Sequence, residues 1–346
     1  IALKLHHHLH DAVHTLRPHG RLLIIVPPTS EILVHAVHGF VRSLAREVGC
    51  RGITVNALLS PDLPTAAPLV AFFASDRASF VTGQSLRAQA GAPFAEPEVK
   101  PSVAVVTGGA QGIGAACATY LAAAGHRVAV LDLPTQQDAG TRLCDRLGGE
   151  AAGMAFVPCN VLDAQAVDAA LERARLLSPC GTVDVLVNNA GITRDRTFCR
   201  MSIDEWEAVL HVNLKAVIDV TRRARQQLAR GARIVNVASL TGLAGNFGQT
   251  NYATARGGVV GFTRQAAREL EPMGICVTAV APGLIDTSMS AKIPRIHREV
   301  AKQMTSLAQI GTPADVAAAV EFLARREAWP LRGQVVRVDG GLFFGA

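Results

Sequence analysis

The stretch Val103-Ala-Val-Val-Thr-Gly-Gly-Ala-Gln-Gly-Ile-Gly114 decides how this chain is read. Val103 to Val106 form an apolar run without interruption, as a parallel strand buried on both faces does. Glycines at 108, 112 and 114 then lead into an alanine-rich helical segment. Glycines in that order let the backbone turn tightly, approach a pyrophosphate and pack the helix against the strand. The helix start adds unpaired N–H groups and a partial positive charge. Alone, the loop is equally an ordinary strand-to-helix turn; the segments after it make the difference.

His126-Arg-Val-Ala-Val-Leu-Asp132 is a second strand, ending in an acid about twenty residues past the glycines. A carboxylate there accepts both hydroxyls of an adenosine ribose and repels a 2′-phosphate. Gly109, Ala110 and Gln111 offer no cation to receive such a phosphate. The expectation is a dinucleotide cofactor, NAD(H) in preference to NADP(H).

From Val103 onward strands and helices alternate, the pattern of an α/β, Rossmann-fold, doubly wound parallel sheet. The first ninety residues carry a shorter series. It comprises a helix to about Leu16, a strand Arg21–Val26, a helix around Glu31–Val48, a strand Gly52–Leu58, a helix near Leu69–Ala74 and a strand near Gln84–Leu86. This front part repeats the back. Gly39-Phe-Val-Arg-Ser-Leu-Ala-Arg-Glu47 resembles Gly261-Phe-Thr-Arg-Gln-Ala-Ala-Arg-Glu269, and Gly52-Ile-Thr-Val-Asn-Ala57 resembles Gly274-Ile-Cys-Val-Thr-Ala279. Gly83-Gln-Ser-Leu-Arg87 matches Gly333-Gln-Val-Val-Arg337. The expected organisation is a degenerate partial copy over 1–90, a linker rich in Pro, Ala and Gly over 91–102, and the working unit over 103–346.

The chain has 346 residues, 49% apolar and 18% charged, with a formal net charge of +6, enough for a full core and for two units. The positive charge is spread without a Lys/Arg block, so neither nucleic acid nor a membrane surface is implied. Seven cysteines at wide spacings, with no C-x-x-C, read as reduced thiols of a cytoplasmic protein. No apolar run approaches the roughly eighteen residues of a membrane span. The start, Ile1-Ala-Leu-Lys-Leu-His-His-His, lacks the form of a signal peptide and an initiator Met, so a longer gene product is expected. His6, His7, His8, His10 and His14 cluster on the first helix; without converging ligands they read as a solvated face, and no metal is expected. Trp206 and Trp329 read as packing or interface residues.

The chemistry is carried by three further segments. Asp184-Val-Leu-Val-Asn-Asn-Ala-Gly191 is a buried strand ending in small and amide residues, where backbone can approach a flat cofactor ring and Asn188 can pin neighbouring strands. Ile234-Val-Asn-Val-Ala-Ser239 puts a serine at a strand's carboxyl end, where the ligand crevice of an open α/β sheet lies. Asn251-Tyr252-Ala-Thr-Ala-Arg256 puts a phenol and a cation one helical turn apart. A fixed cation stabilises a phenolate and so makes the phenol a readier proton donor. Ser239 can hold a carbonyl oxygen while Tyr252 supplies the proton, joining electrostatic stabilisation to general acid catalysis.

As a set these residues resemble the short-chain dehydrogenase/reductase family: Thr107-Gly-x-x-x-Gly-Ile-Gly114, Asn188-Asn-Ala-Gly191, Asn213, Ser239, Tyr252-x-x-x-Arg256 and Pro282-Gly283. The wording of Asn188–Arg194, Gly248–Tyr252 and Ala281–Thr287 is most similar to 3-oxoacyl-[acyl-carrier-protein] reductases, and a damaged front half before an intact unit is similar to their high-molecular-weight form. The resemblance implies that Thr107, Gly108, Gln111, Gly112, Ile113 and Gly114 hold the cofactor phosphates, Asp132 the ribose, and Asn160–Val161 the adenine. It puts Asn189, Ala190, Gly191, Pro282, Gly283, Ile285 and Thr287 beside the rest of the cofactor. It makes Tyr252 the acid, Ser239 the carbonyl-positioning group and Asn213 the support of a water relay. It also implies a homodimer or homotetramer and a substrate lid over roughly Leu284–Met304.

Two positions depart from that family. Arg256 stands where a lysine is expected, and Asn160 where an aspartate is usual. Arginine can bond ribose hydroxyls but cannot release a proton to a relay. At the front, Ser30 and Val34 occupy the places of Tyr252 and Arg256, Pro27 and Pro28 that of Ser239, so the copy carries no second site. The implied activity is NAD(P)H-dependent reduction of a 3-oxoacyl thioester, on acyl-carrier protein or coenzyme A, with turnover reduced by Arg256. The alternatives are a 3-hydroxyacyl-CoA or other secondary-alcohol dehydrogenase, and a non-catalytic NAD-binding partner subunit.

Overall fold

The computed structural model describes residues 2–91, 101–293 and 295–342. The front series is α1 (Ala2–Thr15), β1 (Arg21–Val26), α2 (Glu31–Val48), β2 (Thr54–Leu59), α3 (Leu63–Phe73) and β3 (Gln84–Arg87). The second series opens with β4 (Val103–Thr107), α4 (Gly112–Ala123), β5 (Arg127–Asp132), α5 (Gln137–Arg146), β6 (Met154–Pro158) and α6 (Ala164–Arg175). It continues through β7 (Val183–Asn188), α7 (Ile203–Leu210), α8 (Ala216–Ala224), β8 (Leu228–Val237), α9 (Leu240–Ala244) and α10 (Thr250–Leu270). Last come β9 (Cys276–Pro282), α11 (Arg295–Met304), α12 (Pro313–Leu323) and β10 (Val335–Val338). Residues 92–100 of the expected linker lie outside the described residues.

Local chemistry explains where elements begin. The Ser30 hydroxyl accepts from the Leu33 N–H and opens α2. The Asp62 carboxylate accepts from the Thr65 N–H at 2.7 Å, with Pro64 in the first turn, so α3 starts at Leu63 rather than near Leu69. Apolar periodicity alone missed that cap. Thr312 and Asp315 form a reciprocal capping box at the start of α12.

The second series forms a seven-stranded parallel sheet in the order β10-β9-β8-β7-β4-β5-β6. The order reverses between β4 and β7, which opens a crevice at the carboxyl ends of those strands. A buried amide ladder ties the centre: Asn188 Nδ2 donates to Asn236 Oδ1 at 2.8 Å and to Thr221 Oγ1 at 3.0 Å, and Asn236 Nδ2 donates to Thr263 Oγ1 at 2.9 Å. Asn188 thus pins neighbouring strands, as its sequence position suggested.

The front series forms a separate three-stranded parallel sheet, β1-β2-β3, with the strand order and sense of β8-β9-β10. It is a partial copy of the same fold. The repeat step is 222 at Gly52 and Gly274 but 250 at Gly83 and Gly333. The difference falls in the excursion between β9 and α12, which the copy lacks.

The two parts meet through equivalent elements. Phe72 of α3 stacks on Phe322 of α12, centroids 4.1 Å apart and planes 3° from parallel, and the two are related by the repeat step of 250. Contact between the same residue of two copies is what a two-fold interface makes near its axis. The Gln84 side chain brackets the Arg337 backbone, donating to its carbonyl at 2.6 Å and accepting from its N–H at 2.8 Å. Arg77 pairs with buried Glu321, which Arg325 also holds at 2.6 Å. Leu69, Phe72, Phe73, Phe80 and Val81 share one apolar core with Val280, Val320, Phe322 and Val338. No described helix is long and apolar enough to cross a membrane.

Candidate active site

The expected site residues lie at the carboxyl ends of the sheet, where sequence reasoning put them. The turn after β4 has no room for a side chain at Gly108 or Gly109. Gly108 has φ +61, and a Cβ there would lie 2.8 Å from the Ala190 Cα. A Cβ on Gly114 would overlap the Gly108 carbonyl. Thr107 and Asn189 stitch this turn to the end of β7. Thr107 Oγ1 accepts from the N–H groups of Asn189 and Ala190 at 3.0 and 3.2 Å, while Asn189 Nδ2 donates to the carbonyls of Thr107 and Gly108 at 3.1 and 2.9 Å. That mutual bonding was not readable from the two motifs separately.

The first turn of α4 has no side-chain cap from Gln111, and the N–H groups of Gly112, Ile113 and Gly114 have no acceptor within the helix. Gly112 has φ +56, and a Cβ on it would face only the Thr287 methyl, at 3.9 Å. Bare backbone at Gly112 thus faces Thr287 across the carboxyl end of the sheet. Thr287 is held by Ser290, whose hydroxyl accepts from its N–H at 2.9 Å and donates to its carbonyl at 3.0 Å. Pro282 ends β9, and Gly283 packs so closely on buried Asp339 that a Cβ would lie 2.8 Å from the Asp339 Cβ. Ile285 is buried and forms a parallel bridge with Gly311.

On the adenine side, Asn160 is exposed after β6, its side chain accepting from the Leu162 N–H at 3.1 Å, with Val161 half-buried beside it. Asp132 ends β5 as expected, and its carboxylate is engaged by the protein: Oδ2 accepts from the Ala110 N–H at 3.0 Å, Oδ1 from the Leu133 N–H at 2.8 Å.

The residues expected to react are carried by the segment after β8, by α10 and by the turn between α7 and α8. Ser239 caps α9, its hydroxyl accepting from the Thr241 N–H at 3.2 Å. Tyr252 is in the first turn of α10 and half-buried; its hydroxyl has no hydrogen bond to another described residue. Arg256, one turn on, is buried. Its Nη1 donates to the Val237 carbonyl at 2.7 Å, its guanidinium carbon lies 5.4 Å from the Tyr252 ring centroid, and its Nε has no partner among the described residues. Asn213 is fully buried within a π-helical turn, His211–Lys215. Both ends of its amide are taken by Ile192: Oδ1 accepts from the N–H at 2.8 Å and Nδ2 donates to the carbonyl at 2.7 Å. Gly191 sits where they meet. A Cβ there would overlap Arg256 Nη2 and lie 2.8 Å from Asn213 Oδ1.

Asp339, unremarked in the sequence, is fully buried beneath Gly283. Burial raises its carboxyl to a pKa of about 6, against the opposing pull of Arg337, whose Nε lies 3.1 Å away. Among the described residues no three His, Cys, Asp or Glu side chains are grouped to hold a metal ion, and all seven cysteines are free thiols.

With these groups placed, similarity to known proteins has a site to refer to. Residues 108–343 match the family model described as Enoyl-(Acyl carrier protein) reductase. The chain belongs to the short-chain dehydrogenase/reductase family. It is 38% identical over 252 residues to 3-oxoacyl-[acyl-carrier-protein] reductase FabG of Aquifex aeolicus, covering 72% of this chain and 100% of that one. The FabG of Thermotoga maritima is 40% identical over 243 residues, 69% of this chain and 97% of the relative. Short-chain reductase protein NovJ of Streptomyces niveus is 43% identical over 251 residues, 69% of this chain and 93% of the relative.

These relatives correct the cofactor expectation. The FabG reductases are NADPH-dependent, against the preference for NAD(H) read from Asp132. The structure supplies a reason why that acid misled. Its two oxygens hold the Ala110 and Leu133 backbones, so a carboxylate at this strand end has a local structural use and does not by itself report on the ribose 2′ position.

Proposed function

We propose that this short-chain reductase catalyses NADPH-dependent reduction of a 3-oxoacyl thioester to the 3-hydroxyacyl thioester. The observation that carries the reading is the pairing of Tyr252 with Arg256 on α10, beside Ser239 at the end of β8. Near-complete coverage of the FabG relatives supports the substrate class. Gly108, Gly112–Gly114, Asn189–Gly191, Pro282–Gly283, Ile285 and Thr287 line the crevice for the dinucleotide. When bound, the cofactor would supply the hydride. Ser239 donates its hydroxyl proton in a hydrogen bond to the substrate carbonyl oxygen, holding the face open to attack. Tyr252 delivers the proton that the oxygen takes up, and the Arg256 charge stabilises the phenolate left behind.

The test is NADPH consumption with acetoacetyl-CoA as the accessible 3-oxoacyl thioester, in the unaltered chain and in Tyr252→Phe. Turnover that disappears in the variant supports the assignment. No turnover with this or an acyl-carrier-bound 3-oxoacyl substrate, while NADPH still binds, would leave the second reading. That reading is a non-catalytic partner subunit, favoured by one observation: Arg256 directs Nη1 to the Val237 carbonyl, and arginine cannot pass on a proton as the family's lysine does.

A further inference from the structure

The excursion between β9 and α12 leaves and rejoins the sheet through two legs. The first leg is Leu284–Asp286 and the second runs from Thr305 to Gly311. They are clasped at the base: Ile285 bridges Gly311, the Asp286 N–H donates to the Gly311 carbonyl at 2.8 Å, and the Gly311 N–H donates to the Leu284 carbonyl at 3.0 Å. Between the legs hangs α11, with Ile296, Val300 and Met304 exposed along one face.

Both legs rest on the front copy. A Cβ added to Gly311 would lie 2.5 Å from Phe80 Cε1 and 2.6 Å from Ile285 Cδ1, so the Phe80 ring is pressed directly under the clasp. The Phe80 carbonyl accepts from the Gly340 N–H at 3.0 Å, and its ring also fills the space above Gly340. On the second leg, the Leu307 N–H donates to the Gly340 carbonyl at 3.2 Å and the Ser306 hydroxyl to the Gly341 carbonyl at 3.0 Å. Thr82 packs against the same Gly341. A Cβ on Gly49, at the end of α2, would overlap the Ser306 carbonyl, and its three nearest atoms all belong to Ser306. Gly49, Phe80 and Thr82 all come from the copy without chemistry of its own.

We propose that the front copy is the seat of the substrate lid: Phe80 and Gly49 are positioning residues that fix the two legs of the 284–311 excursion, and through Ile285 the floor of the nicotinamide site. The copy lacks an excursion of its own between β2 and α3, and it meets the working unit's excursion with the amino end of its sheet, since Gly49 precedes β2 and Phe80 and Thr82 precede β3. This rests on the reductase reading for the meaning of the lid, but not for the contact itself.

Limited trypsin digestion tests it without any turnover, because Arg295, Arg298 and Lys302 all lie between the legs. Cleavage rates under native conditions follow the population of the locally open state. Gly49→Ala is the sharpest probe. Gly49 has φ −63, which alanine adopts freely, so the added methyl acts on Ser306 alone. The full chain carrying Gly49→Ala or Phe80→Ala is expected to be cut at 295–302 about ten-fold faster than the unaltered chain, with other sites unchanged. Phe80→Leu, which keeps apolar volume under the clasp, should restore most of the protection. In turnover assays KM for the thioester should rise more than kcat falls. Unchanged cleavage in the lid of Gly49→Ala, or acceleration spread evenly over the chain, overturns the proposal. A silent turnover assay counts against the reductase reading alone, since the digestion still decides where the lid is seated.

Discussion

Arg256 lies with its guanidinium carbon 5.4 Å from the Tyr252 ring centroid, but its Nη1 is committed to the Val237 carbonyl at 2.7 Å. The cation therefore sits over the face of the phenol, and backbone of the strand leading to Ser239 holds it there. A guanidinium fixed in this way supplies charge, but it cannot act as a proton carrier.

Arg256→Lys is therefore expected to raise kcat by about ten-fold, a barrier change of ~1.4 kcal/mol, with KM for the thioester little altered. Tyr252→Phe should lower kcat by about a thousand-fold. Steady-state NADPH oxidation measures both. An Arg256→Lys variant as slow as the unaltered chain would show that arginine does not limit the relay.

Gly191 is the point on which Arg256 and Asn213 converge, and it has no room for a methyl group. Gly191→Ala should destabilise the fold by about 1–3 kcal/mol, the range for forcing extra atoms into a packed interior. Urea unfolding reads that loss directly. Activity should fall further than stability requires, because the displaced guanidinium is the one beside Tyr252.

Asp339 gives a pH signature of known sign. Its folded pKa is raised to about 6 by burial, above an ordinary carboxyl value of 3.8. The folded state thus favours the protonated form. The stability linked to that proton is fully present below about pH 4 and is lost as pH rises through about 6. Asp339→Asn removes this component, which amounts to roughly 3 kcal/mol. The difference in unfolding free energy between variant and unaltered chain should therefore move in the variant's favour from pH 4 to pH 7, and a pH-independent difference would contradict it.

The cysteines divide by environment. Burial alone pushes the Cys117 thiol up to about 12, and Cys144, Cys159 and Cys276 up to about 11, with burial the leading cause in each. Cys50, Cys180 and Cys199 are exposed. A thiol-specific reagent at neutral pH should titrate those three in the native protein and the other four only after denaturation. Rapid native labelling of Cys117 would argue that α4 opens far more readily than its packing implies.

Most of the fold was legible from residue pattern alone. Continuous apolar runs rich in β-branched residues and followed by glycine, such as Val103–Val106, read as strands buried on both faces, and three stepwise matches between front and back mark the copy. The places of Thr107, Asn188 and Pro282 at strand ends were legible too, because an apolar run that stops at a polar residue, glycine or proline marks where a strand finishes. The start of α3 was missed because a cap at Asp62 acts through one hydrogen bond and leaves no periodicity.

The cofactor was misread for a related reason. A carboxylate at position 132 has the same sequence whether it binds a ribose or two backbone N–H groups of its own chain. Sequence by itself determined the alternating strands and helices of a parallel sheet, the glycine-rich turn after β4 and the Tyr252–Arg256 spacing, since these follow from local backbone geometry and side-chain type. Only the tertiary structure decided that Arg256 is anchored to Val237, that Gly191 has no space for a methyl, and that Phe80 and Gly49 lie under the lid legs. Those are contacts between segments far apart in the chain, and nothing in either segment alone specifies the distance at which packing brings them together.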